Sequence, residues 1–220
     1  TECSEMPDNC ELAVLGIASH FGHFFTDCLD RIFAFEQAKL PPTTKFVVDA
    51  LPIPQVRQII DALGVDMPTE RMRVVDRSRD HHARNLHIAT LDSAKPAISL
   101  SVFQKLRERV LARFPQPHGD TQSIYVGRKD VQKRKILNQD EVFRELQGAG
   151  FAAFYPENRE FKDSVAAFHR ADMIVIAIGS SKFNLAFCRP GTKVVCLAPE
   201  GYRSEEHTSE LQSQSTISYA

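Results

Sequence analysis

The run IYVGRKDVQKRKILN, residues 124 to 138, breaks an apolar stretch at Gly127 and then presents Arg128, Lys129, Lys133, Arg134 and Lys135 within eight residues. Guanidinium groups match phosphate oxygens in two-point geometry, so Arg128 and Arg134 are candidates for holding an anionic group. A second stretch, GSSKFN, sets Gly179, Ser180 and Ser181 between an apolar run and a helical pattern. Backbone N–H groups at a helix start, with the helix dipole, favour phosphate too, although a capping role accounts for the serines equally well. A third stretch, GHFFTD, separates His23 from Asp27 by four residues. On a helix that spacing puts them on one face, where they could act as base and orienter; the alternative is a packed histidine beside an exposed carboxylate.

These residues depend on the elements that carry them. Residues 12–19 read as a buried strand, and the following HFFTDCLDRIFAFEQA puts Phe24, Phe25, Cys28, Leu29, Ile32, Phe33 and Phe35 on one broad helical face that Pro41-Pro42 stops. KFVVDA reads as a strand, QVRQIIDALGV as a helix with Gly64 near its end, RMRVVD as a strand, residues 83–91 as a further strand, and residues 101–114 as a helix. His81-His82 lacks a carboxylate or cysteine at ligand spacing and reads as loop. PQPHGD, rich in proline and glycine, marks a boundary. Beyond it the periodicity predicts strand 123–127, helix 139–149, strand 151–155, helix 161–170, strand 172–178, short helix 181–188 and strand 193–198. Such alternation argues for βαβ units and parallel sheets, and the uninterrupted MIVIAI fits a strand covered on both faces. Ligands in these sheets bind beyond the carboxyl ends of the strands, which is where both candidate loops lie.

Composition sets the bounds. A net charge of −1 argues against a nucleic-acid partner, so the basic cluster has a local purpose. No apolar run has the length of a membrane span and the start does not resemble a signal peptide, which points to a cytoplasmic protein with no integral membrane segment. Five scattered cysteines without a CxxC indicate neither a zinc site nor a disulfide framework, in keeping with a reducing compartment. No Gly-rich dinucleotide fingerprint follows any strand, which disfavours a nicotinamide enzyme. After Tyr202, RSEEHTSELQS (residues 203–213) resembles a translated sequencing adapter, so residues 203–220 are expected to be an artefactual or disordered tail and the second lobe to be incomplete.

Residues 125–199 resemble the carboxyl-terminal half of family 61 glycosyltransferases, a group that includes bacterial capsular-polysaccharide enzymes and O-linked sugar transferases. The shared pattern is Arg128 after a strand, Arg134 before Asn138, Glu141 at a helix start, the loop Gly179 to Asn184, and Pro190-Gly191 before the next strand. GHFFTD resembles the family's His-x-x-x-Asp segment, giving His23 and Asp27. The chain departs from the family's Gly-x-His-Gly loop by carrying Ile176 and Ile178 at the Gly and His positions.

The resemblance implies an α/β, GT-B-like fold of two Rossmann-like lobes with parallel sheets. Residues 1–117 would form the acceptor-side lobe and residues 118–202 the nucleotide-sugar-binding lobe. It implies inverting, metal-independent transfer of a sugar from a nucleotide-sugar donor to a hydroxyl of a glycan acceptor in capsular or surface polysaccharide synthesis, with no cofactor beyond the co-substrate. His23 and Asp27 would be catalytic. Arg128, Arg134, Asn138, Gly179, Ser180, Ser181 and Asn184 would bind the donor. The alternative, motivated by Ile178, is a non-catalytic nucleotide- or sugar-binding relative.

Overall fold

The computed structural model describes residues 4–5, 11–76, 78, 80–90, 99–116, 119–128, 136, 138–198 and 217–218. The backbone divides into two compact units, Thr1–Arg109 and Val110–Ala220.

In the first unit β1 (Ser4–Glu5) and β2 (Glu11–Gly16) are followed by α1 (Phe21–His23), a π-helical turn (Phe24–Cys28) and α2 (Leu29–Ala38). Then come β3 (Lys45–Val48), α3 (Pro54–Leu63), β4 (Met72–Val74), β5 (His81–His82), β6 (Asn85–His87) and α4 (Leu100–Arg113), within which the division of units falls. β4, β3, β2 and β6 lie in that order in one parallel sheet. All seven apolar residues assigned to one face of the long helical stretch are buried. The helix ends as its sequence requires: Ala38 is the last helical residue, Lys39 takes a left-handed backbone with φ 50°, and two prolines follow. Pro54 opens α3, where its missing N–H costs nothing, and Gly64 closes it with φ 67°.

The second unit runs β7 (Gln122–Val126), α5 (Gln139–Gly148), β8 (Ala152–Phe154), a 3₁₀ turn (Pro156–Asn158), α6 (Phe161–Arg170), β9 (Ala171–Ala177), a 3₁₀ helix (Ser180–Phe187), β10 (Lys193–Leu197) and β11 (Ile217–Ser218). Its strands are parallel in the order β11-β10-β9-β7-β8. β9 lies between β7 and β10, and its residues Ile174 to Ala177 are buried. The unbroken apolar run is thus explained by cover on both faces of a central strand.

The differences from the sequence reading are local. His81-His82, read as loop, pairs in parallel with Ser4-Glu5 as a short ladder. The 83–91 strand contracts to Asn85–His87, and the short helix after β9 is a 3₁₀ helix. Residues 203–216 of the tail lie outside the described residues, while Ile217–Ser218 pairs with Val194-Val195.

Strand order determines where each sheet can take a ligand. In the second sheet the chain passes from β7 to β8 on one side and returns to place β9 on the other, so the order reverses between β7 and β9. In the first sheet it reverses between β2 and β6. Loops diverging at such a switch point leave a crevice beyond the carboxyl ends of the strands, the usual ligand position in sheets of this type.

Candidate functional site

Arg128 follows β7 and Gly179 follows β9, so the two candidate loops leave the second sheet from the adjacent strands at its switch point. They meet there. A Cβ added to Gly179 would lie 3.2 Å from Arg128 Nη1 and 3.4 Å from Cζ, which shows the guanidinium resting on the glycine backbone. Gly179 has φ 162° and ψ −172°, an extended conformation open to any residue, so what a side chain at this position would meet is the Arg128 guanidinium.

The backbone of Arg128 is held as firmly as its side chain. Gln139, the first residue of α5 and only 8% exposed, accepts from Arg128 N through Oε1 at 3.0 Å and donates to Arg128 O through Nε2 at 3.1 Å. Gly127 leaves room for this: a Cβ there would stand 2.7 Å from Tyr155 Cε1 and 3.4 Å from Gln139 Oε1. Its N–H donates to Phe154 O at 3.1 Å. Beneath it Tyr125 is fully buried, and burial, then Tyr155 and Asp140, push its phenol up to about 12. Tyr125 therefore stays neutral and acts as a packed wall.

The remaining residues expected around the donor are distributed along these loops. Asn138 is exposed at the start of α5, where its carbonyl accepts from Glu141 N and Val142 N and its Nδ2 lies 3.5 Å from Glu141 Oε2. Ser180 and Ser181 open the 3₁₀ helix, half-buried, and Lys182 N donates to Gly179 O. Asn184 is 1% exposed and donates through Nδ2 to Ser181 O at 3.2 Å, while its buried Oδ1 has no partner among the described residues. Arg134 lies outside the described residues.

In the first unit the side chains of His23 and Asp27 come together. His23 Nδ1 stands 3.2 Å from Asp27 Oδ2, with the histidine 59% and the aspartate 33% exposed. An ionised carboxylate can only accept, so Nδ1 carries a proton, and in the neutral imidazole Nε2 is then the atom with the lone pair. The pair spans the π-helical turn, a feature that recurs at functional sites because the wide turn re-aims side chains. Upstream, Gly16 has φ 113° and a Cβ there would fall 2.6 Å from Arg31 Nη1, which donates to Leu15 O at 2.9 Å. The positive φ calls for glycine at the end of β2.

A neighbouring array was not legible in the sequence. Asp49, just past β3, accepts from Ala18 N at 2.9 Å, Ser19 N at 3.4 Å and Ser19 Oγ at 2.5 Å. Ser19 Oγ has one proton and gives it to Asp49, so the 2.8 Å contact with His20 is a hydrogen bond donated by His20 Nδ1. A serine nucleophile needs an imidazole that accepts its proton, and this wiring is the reverse. Cys28 is no nucleophile either, since burial, then the charge of Asp27, push its thiol well up and keep it protonated.

Burial alone would raise the Asp49 carboxyl, but the hydrogen bonds from Ser19, Ala18 and Ala50 outweigh it and hold the carboxyl below its ordinary value. A depressed folded-state value contributes stability in full above the unfolded value of about 3.9 and loses it as pH falls through the folded one. Asp49→Asn is therefore expected to lower the unfolding temperature at pH 7 by more than it does in acid. Thermal melts of both proteins in steps from pH 7 to pH 3 measure this, and a gap that stays constant would show that Asp49 is not held as an anion.

The Glycosyltransferase 61 family model matches residues 21–195, most of the chain, including His23, Asp27, Arg128 and Gly179. The chain belongs to glycosyltransferase family 61. It matches no curated protein. Membership means that the chain is built for glycosyl transfer, with a sugar donor and an acceptor as substrates. Ile176 and Ile178, the departures from the family loop, are 1% and 7% exposed, and Ile178 N donates to Leu197 O at 2.9 Å. These positions serve the core of this family member. Gln139, Ser19 and Asp49 could not be singled out beforehand, because Arg128 and Asp49 lie 11 and 30 residues from Gln139 and Ser19, separations that no local pattern encodes. Among the described residues no helix is long and apolar enough to cross a membrane, and no group of three or more His, Cys, Asp or Glu is placed to hold a metal ion.

Proposed function

We propose that this family 61 member is an inverting, metal-independent glycosyltransferase that moves a sugar from a nucleotide-sugar to a hydroxyl of a glycan acceptor in the cytoplasmic synthesis of a capsular or surface polysaccharide. The first unit is then the acceptor lobe and the second the donor lobe of a GT-B-like pair of Rossmann-like lobes. The observation that carries the donor assignment is the Arg128 guanidinium resting on Gly179 at the switch point between β7 and β9. A diphosphate placed there meets a fixed cation and the loop Gly179 to Asn184. Asn138 and Arg134 join it on the strength of the family pattern.

In the reaction the acceptor oxygen bonds to the anomeric carbon as the bond from that carbon to the diphosphate oxygen breaks. The acceptor proton passes to His23 Nε2, and Asp27 holds the imidazole and stabilises the imidazolium. Charge developing on the departing nucleoside diphosphate falls on Arg128 and Arg134, each such contact contributing about 3 kcal/mol.

The test is to titrate the full chain with a panel of nucleotide-sugars and nucleoside diphosphates and to follow diphosphate release with glycan acceptors, with and without EDTA. Binding of at least one nucleotide-sugar, with turnover that survives EDTA, is expected. Binding without donor consumption would establish the non-catalytic reading that Ile178 favours. Failure of every nucleotide to bind at millimolar concentration would sink the donor-site assignment.

A further inference from the structure

Phosphate recognition by one arginine depends on where its guanidinium is before the ligand arrives, because a flexible side chain is in the binding-competent position only part of the time and the apparent affinity falls by that fraction. Arg128 lies just beyond β7, outside any strand or helix, a place where side-chain direction is not set by secondary structure. The backbone from which that side chain departs is held by Gln139. The primary amide closes on both backbone polar atoms of Arg128, at 3.0 and 3.1 Å, from a side chain 8% exposed. One amide that accepts from N and donates to O fixes the plane of the peptides on either side of a residue, and so the direction of its Cα–Cβ bond. Gly127 leaves space for the Tyr155 ring and the Gln139 amide to lie against this turn, and Gly179 leaves space for the guanidinium at its far end.

We infer that Gln139 is a positioning residue for the donor site, acting through Arg128 to hold the guanidinium against Gly179 in advance of diphosphate binding. This rests on the assignment of the donor site to Arg128 and Gly179 and adds to it the group that aims the cation. Gln139 lies at the start of a helix, but its contribution comes from the side-chain amide and does not rely on the helix terminus. A core-filling role predicts different behaviour, because then replacing Gln139 would damage stability without singling out anions.

The test uses the full chain with inorganic pyrophosphate, which needs no knowledge of the donor's base or sugar, in a double-mutant cycle of Gln139→Met and Arg128→Ala read by 31P NMR titration. Methionine keeps the length of glutamine and removes both hydrogen bonds. Gln139→Met is expected to weaken pyrophosphate about tenfold, as when the aimed conformer falls to about a tenth of the population. In the Arg128→Ala background the same change is expected to have no further effect, since a residue that acts only through another is silent once that other is gone. Should Gln139→Met fail to fold, Gln139→Asn takes its place, keeping the amide but falling one methylene short of the two-point contact. If Arg128→Ala loses binding and Gln139→Met does not, or if the two losses simply add, the positioning role is overturned and the donor site stands. If neither variant changes pyrophosphate binding, the donor-site reading itself fails.

Discussion

Arg128→Ala is expected to lower turnover by about 10²–10³-fold, the range found for removing one preorganised donor to developing negative charge, about 2.7–4 kcal/mol. The reasoning starts from position. Arg128 is delivered to the switch point by β7, clamped at its backbone by Gln139 and rested on Gly179 by its side chain, so no reorganisation is needed when charge builds on a leaving group. Because the guanidinium meets the diphosphate in the ground state and holds it more strongly as charge develops in the transition state, affinity for the nucleoside diphosphate product should fall together with kcat. Arg128→Lys should recover only part of either, since an ammonium cannot reproduce two-point contact with phosphate oxygens. Steady-state kinetics and product-inhibition constants for the three proteins measure this. A fully active Arg128→Ala enzyme would move the donor phosphates elsewhere.

The second large effect is at His23. His23→Ala is expected to cost about 10²–10⁴ in kcat, the contribution typical of a positioned general base. Stability should barely change. His23 is 59% exposed, its pairing with Asp27 is a surface contact, and such pairs are worth about 1 kcal/mol or less. That contrast separates catalysis from folding: melts should coincide while turnover collapses. Asp27→Asn should fall in between, as its amide still fills the space but no longer stabilises a charged imidazole. A His23→Ala protein with wild-type kcat would show that another group takes the acceptor proton, and the neighbouring His20, held by Ser19 with Nε2 as its lone-pair nitrogen, would be the first to test.

Much of the architecture was legible because its causes are local. The helical face from Phe24 to Phe35, the stop at Pro41-Pro42, the Gly64 cap and the two-sided burial of MIVIAI each follow from period, conformational freedom and hydrogen-bonding capacity that a residue carries with it. His81-His82 was misread for the opposite reason. Its two-residue ladder is made with Ser4-Glu5, more than seventy residues away, and nothing in its own neighbourhood announces a partner.

The sites divide along the same line. His23 and Asp27 could be paired from sequence because four residues of helix bring them together, and the π-helical turn keeps them within 3.2 Å. By itself the sequence determined the residue types, the helices and strands, and the placing of two phosphate-compatible loops after strands. Only the tertiary structure decided that those loops leave adjacent strands, because the order β8-β7-β9 is a choice of pairing among parallel strands that each strand's own pattern leaves open. That pairing puts the Arg128 guanidinium on Gly179 and, through the start of α5, closes Gln139 on the Arg128 backbone, since contacts at one sheet edge depend on which strands are neighbours and not on how far apart they lie along the chain.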